Sequence, residues 1–206
     1  MVIETPDSII EFWFGVSDSA AEINAQKKSL WWLKSKDVDS EISRRFAHLT
    51  KTVHVDIPRE WGETTRSHLA AIICLDQFPR NMYRGFPEAF FYDSRALELA
   101  SDLVASGCDR DLPSMYRVFC YLPFEHSENI ANQHKAIELY ENLSEEVKNS
   151  GAKSEVCDIF EGSYRFALKH LEIVERFGRF PHRNEILGRQ STEEELKFLS
   201  EPGSSF

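Results

Sequence analysis

SEVCDIFEGSYRFALKHLEIVERFG, residues 154–178, decides the fold. Ser154 is a helix opener, and Val156, Ile159, Phe160, Tyr164, Leu168, Leu171 and Val174 recur mostly three or four residues apart until Gly178 supplies a stop. That period predicts one long amphipathic helix with its apolar side facing inward. The stretch upstream reads the same way. Ser127 stands as N-cap of a helix carrying Gln133, Ile137, Tyr140, Ser144 and Val147, which closes at Gly151.

Farther from this centre the punctuation stays helical. Thr5-Pro6-Asp7 opens a short apolar helix that ends at Gly15, and Ala21 to Leu33 runs into the pair Trp31-Trp32. From Asp37 onward, Val38, Ile42, Phe46, Leu49 and Val53 keep helical spacing. Thr64 or Thr65 caps a segment through Leu69, Ile72, Ile73 and Asp76, expected to stop near Phe78 because a residue before proline disfavours the helical backbone. Ala89 to Ser106 ends at Gly107, and Pro113 opens a helix through Met115, Val118, Phe119 and Tyr121 that should end before Pro123. Ser191-Thr192-Glu193-Glu194-Glu195 is a capping box ahead of Leu196, Phe198 and Leu199, and residues 201–206 read as a frayed tail. No run of alternating apolar and polar residues bounded by hairpin turns appears, so the chain reads as all-α, about eight or nine helices joined by short loops in a single domain, residues 1–206.

Composition narrows the function classes. The 206 residues are 42% hydrophobic and 28% charged, which excludes disordered and fibrous chains. Lys and Arg number 24 against 34 Asp and Glu, a net charge of −10 that argues against nucleic-acid or anionic-membrane binding. The longest apolar run, Leu69 to Leu75, is far short of the roughly 20 residues of a membrane span. Met1-Val2-Ile3-Glu4 has neither the basic nor the apolar part of a secretory signal. Cys74, Cys108, Cys120 and Cys157 are far apart with no C-x-x-C, which suits reduced thiols in a cytoplasm better than a disulfide framework or a zinc site. Trp13, Trp31, Trp32 and Trp61 are expected in the core.

Against this acidic background, six of the fourteen arginines fall in two loop stretches: Arg80 and Arg84, then Arg176, Arg179, Arg183 and Arg189. Guanidinium suits bidentate capture of carboxylate or phosphate, so the functional reading is a small anionic ligand bound by Arg80, Arg84, Arg179 and Arg183 with Gln77, Asn81, Gln133 and Asn184. His126 and His182, both in proline-marked polar loops, are the candidates for proton transfer, assisted by Glu128 and Asp76. The ordinary structural explanation stands beside it. Cations near a helix C-terminus are stabilised by the helix dipole, and Asp76, Glu125 or Glu128 can neutralise the arginines in an internal network. A metal site from His126, Glu128, Asp76 and His182 has no recognised ligand spacing behind it, and no P-loop, dinucleotide fingerprint or nucleophile elbow occurs, so neither metal nor cofactor is expected. Phe78-Pro79-Arg80-Asn81 returns, with one residue inserted, as Phe180-Pro181-His182-Arg183-Asn184, which suggests one helix-exit device used twice.

Trp31-Trp32, LDQFPRN at 75–81, PFEHSE at 123–128, RFGRFPHRN at 176–184 and GRQSTEEELKFL at 188–199 occur in an order that resembles the bacterial domain-of-unknown-function family numbered 924, over nearly the whole chain. The resemblance implies a tetratricopeptide-like arrangement of stacked antiparallel helical hairpins, although no 34-residue repeat is visible in the sequence. It implies no activity. A stacked-hairpin architecture keeps a second function in view, a protein- or peptide-binding scaffold without catalysis.

Overall fold

The computed structural model of the chain describes residues 4–204. Within them the backbone forms α1 (Pro6–Phe14), α2 (Ala20–Trp32), α3 (Lys36–Val55), α4 (Thr65–Ile72), α5 (Phe78–Met82), α6 (Asp93–Ser106), α7 (Ser114–Glu125), α8 (Ile130–Asn149), α9 (Ser154–Phe177) and α10 (Glu193–Leu199). A π turn, Ile73–Gln77, joins α4 to α5, so these segments make nine helices among the described residues, with no strand. None of them is long and apolar enough to cross a membrane. The four cysteines are unpaired.

The expected caps are mostly present. Thr5 and Ser8 cap α1 reciprocally, and Thr192 and Glu195 do the same for α10. Gly107 and Gly178 close α6 and α9 at φ of 74° and 69°, the left-handed backbone that glycine adopts most cheaply. Asn129, not Ser127, caps α8: its Oδ1 accepts from the Ala131 N–H at 2.9 Å. Ser127 lies two residues too early and braces the turn instead, its hydroxyl oxygen accepting from the Asn129 N–H and from Asn132 Nδ2.

Two prolines do not end their helices. The segment from Thr65 passes through Phe78 and Pro79 to Met82, because the π turn lets the Phe78 N–H reach the Ile73 carbonyl and puts Pro79 in a first-turn position that requires no N–H. Helix α7 continues past Pro123 to Glu125. Every residue from Met115 to Glu125 is buried, and packing on all sides outweighs a proline penalty of about 3 kcal/mol. Upstream of α6, residues Pro87–Phe90 form a separate 3-10 turn, so the helix starts at Asp93 rather than Ala89.

Helix α7 is the axis of the core. It packs on α4, α6, α8 and α9, while α8 and α9 lie along each other and α3 covers α5. The Trp13 ring meets Phe78 and Phe119 edge-on, Phe46 stacks on Phe78 with centroids 4.4 Å apart, and Phe14 stacks on Tyr116 at 4.0 Å. Trp31 is partly buried and donates from Nε1 to the Trp13 carbonyl, but Trp32 is half exposed rather than core. On α9 the inward line runs through Phe160, Ala167, His170, Ile173 and Val174, and Leu168 falls on the exposed flank. Phe180 joins Ile173, Val174, Phe177 and Phe198 in a second, small apolar cluster that seats the C-terminal segment. Ser204 is buried, its hydroxyl donating to the Leu199 carbonyl, so the described part of the tail folds back on α10; residues 205 and 206 lie outside the described residues.

Candidate functional site

The π turn delivers Asp76 and Gln77 inward at the point where α7 ends. Asp76 is fully buried, and His126 Nδ1 approaches its Oδ1 at 2.7 Å. Gln77 Nε2 donates to the other oxygen at 2.6 Å, and Arg80 Nη1 lies 3.2 Å from Oδ1. Burial opposes ionisation of this carboxyl group, but the Arg80 charge, then His126, hold it well below the usual carboxylate range. An ionised carboxylate only accepts, so neutral His126 carries its proton on Nδ1 and presents a lone pair at Nε2. Burial, then Arg80, keeps His126 below the ordinary histidine value despite Asp76.

Arg80 turns the rest of its guanidinium to Asp93, the first residue of α6, in a bidentate pair at 2.8 and 2.9 Å. Arg183 reaches the same carboxylate from the far end of the chain, but only to 3.7 Å, too long for a hydrogen bond. Its guanidinium rests against the rings of Phe180 and Phe90, at 4.5 and 4.7 Å from their centroids, and its Nε is buried without a hydrogen-bond partner. Burial and the neighbouring Arg80 pull its pKa down to about 10. The two Phe-Pro copies are therefore not one device: residues 78–82 are helical and 181–183 a 3-10 turn. Their arginines nevertheless meet at Asp93.

Glu128 holds the C-terminal segment. It accepts the Phe180 N–H at 2.8 Å and a bidentate pair from Arg189 at 2.6 and 2.9 Å. His182 sits on this segment, its ring 5.7 Å from that of Phe180, and burial followed by Arg183 lowers its pKa to about 4. Beneath lies a second buried pair. His170 Nδ1, donating to the Phe166 carbonyl, comes within 3.2 Å of Glu125 Oε1. Burial pushes Glu125 up to about 8 and His170 down to about 3, so near neutrality both are uncharged.

The remaining site residues foreseen from sequence turn elsewhere. Arg84 makes a bidentate pair with Asp39 of α3, to which Asn81 also donates. Arg179 pairs with Glu195 at 2.6 and 2.8 Å, and Asn184 donates to Ser191. Gln133 is fully buried and donates to the carbonyls of Glu125 and Ser127, both at 2.6 Å, closing the end of α7. Open clefts of about 540 and 330 Å³ flank Asp39 and Arg179; neither is lined by Asp76, His126 or Arg183. Among the described residues no group of three or more His, Cys, Asp or Glu is placed to hold a metal ion.

The family described as bacterial protein of unknown function (DUF924) matches residues 9–203. The chain belongs to this family. A solved structure of a protein of unknown function from Agrobacterium tumefaciens is 32% identical, with a TM-score of 0.76 over 95% of this chain and 96% of that one. Comparison with curated proteins yields no match.

In this DUF924 chain, Asp93, Phe90 and His170 join the constellation without having been singled out from sequence. Asp93 follows Phe-Tyr at the start of a helix, where an acidic first-turn residue already has a sufficient explanation in the helix dipole. His170 lies mid-helix on the apolar stripe of α9, and its position three residues from Ala167 and Ile173 was the available signal.

Proposed function

We propose that the protein binds a small anionic ligand at Arg183, beside a base formed by His126 and Asp76. The observation that carries this reading is Arg183 itself: a guanidinium almost removed from water, against two phenyl rings, with its nearest carboxylate beyond hydrogen-bond reach and Nε unpaired. A buried Nε left without an acceptor is unfavourable by roughly 1–3 kcal/mol, and an incoming anion supplies one. Asp76 orients His126, whose Nε2 is the proton acceptor at the site; Arg80 and Gln77 hold Asp76. Glu128, His182 and Arg189 position the segment that carries Arg183. Four unpaired thiols suit a reducing cytoplasm.

A second reading, a tetratricopeptide-like protein-binding scaffold without catalysis, draws on the carboxylate partners already held by Arg80, Arg84, Arg179 and Arg189. One experiment separates the two. Thermal unfolding is followed with a panel of carboxylated and phosphorylated metabolites for the wild type, Arg183→Met and, as control, the exposed Arg165→Met. The ligand reading expects saturable stabilisation of the wild type and control, lost in Arg183→Met; equal flat responses of all three favour the scaffold.

A further inference from the structure

Arg183 and His170 are enclosed, with 7% and 3% of their surface exposed, and neither lines the two open clefts. A ligand enters only if some element moves aside, and the chain beyond α9, residues 178–204, is built to do so. Its apolar anchor, Phe180 and Phe198 against Ile173, Val174 and Phe177, is separate from the main core. Helix α10 packs chiefly on the 3-10 turn Pro181–Arg183 of the same segment. Internal bonds brace the segment as one body: Arg179 to Glu195 and the Gln190 carbonyl, Asn184 to Ser191, and the Arg189 N–H to the Asn184 carbonyl at 2.8 Å. Its ionic fastenings to the rest of the protein, Arg189 to Glu128 and Glu194 to Arg176, are partly or largely exposed, where water competes for both partners. Where the segment leaves α9, Gly178 has a left-handed backbone with open space around it, a corner that can turn without meeting side chains. Phe180 is the plug: fully buried, its ring stands edge-on 5.4 Å from His170, whose own ring is 6.3 Å from that of His126. Arg183 rides on the segment, whereas Asp93 and Phe90, which it faces, belong to the body.

We propose, resting on the anion-binding reading, that residues 178–204 are a strap that turns at Gly178 as one unit, lifting Phe180 off His170 and opening the seam between Arg183 and Asp93 to an entering anion.

Histidine labelling of the full chain with diethyl pyrocarbonate, read residue by residue by mass spectrometry along a series of low urea concentrations, tests it without a ligand. His170 is the reporter, and the exposed His48 and His134 are the references. Opening of the strap exposes little surface, so His170 labels at a rate that barely changes across the lowest urea concentrations and rises steeply only where global unfolding takes over. Glu128→Gln keeps the shape but weakens the hold on Arg189. It raises the low-urea rate of His170 roughly two- to fivefold, the worth of a partly exposed ion pair, and leaves His48 and His134 unchanged. A His170 rate that follows global unfolding from zero urea upward, or one that is equal in the wild type and Glu128→Gln, overturns the strap. Either result leaves the anion reading to the Arg183→Met comparison, which involves no labelling. The wild-type urea series does not depend on how the variant folds.

Discussion

Glu125 ends α7 with about 2% of its surface exposed, its carboxyl group 3.2 Å from His170 and its pKa raised to about 8 by burial, then by the Asp76 charge. A carboxyl group that holds its proton more tightly when folded than when unfolded stabilises the fold at low pH. That contribution is complete below the ordinary carboxyl value near 4.5 and is lost as pH rises through about 8. Glu125→Gln keeps the neutral shape and removes the titration. Its melting temperature should therefore gain on the wild type steadily from pH 5 to pH 8, at up to about 1.4 kcal/mol per pH unit, as read by thermal unfolding across a pH series. His170 and His182 act with the opposite sign, since burial lowers both, and their stabilisation is lost as pH falls below the ordinary histidine range. At this scale the residue types were legible in the sequence, but not their partners. Asp76, His126 and Arg183 stood out because polar groups beside prolines and helix ends are conspicuous. Asp93 did not, because one carboxylate at a helix start looks the same whether it faces water or two arginines.

Helices were read well where the apolar period is long and a cap is chemically explicit, as at Thr5, Thr192, Gly107 and Gly178. They were read badly at Pro79 and Pro123. The local rule weighs a missing N–H against water, whereas both prolines lie in segments enclosed on all sides, and a π turn absorbs the first of them. The end of α7 also relies on a side chain from another helix: Gln133 of α8 donates to the carbonyls of Glu125 and Ser127. Gln133→Leu has similar bulk but leaves both carbonyls without that donor. A loss of about 1–3 kcal/mol in urea denaturation, with an unchanged slope, is the expected result.

Across the whole molecule, two arginine-rich stretches of an acidic chain are visible in the sequence, but not how their charge is used. Arg80, Arg84, Arg179 and Arg189 each hold a carboxylate, contributed by α6, α3, α10 and the α7–α8 turn, and such long-range pairings leave no periodic trace. The C-terminal segment is seated on a small apolar cluster and fastened by Glu128. Because that fastening is partly exposed, Glu128→Ala should change global stability by about 1 kcal/mol or less. Local opening is a more sensitive readout. Hydrogen exchange at the Arg183 and Leu187 amides, bonded to the Phe180 and Arg183 carbonyls, should accelerate at least several-fold while α7 amides keep their rates.

Asp93 receives one guanidinium from the neighbouring helix α5 and is approached by another from ninety positions downstream. Closing the first contact costs little chain entropy and closing the second costs more, since the loop between its ends is about seven times longer. At 3.7 Å the distal guanidinium gains no hydrogen bond to offset that cost, so Arg183 keeps unused donor capacity in the finished protein.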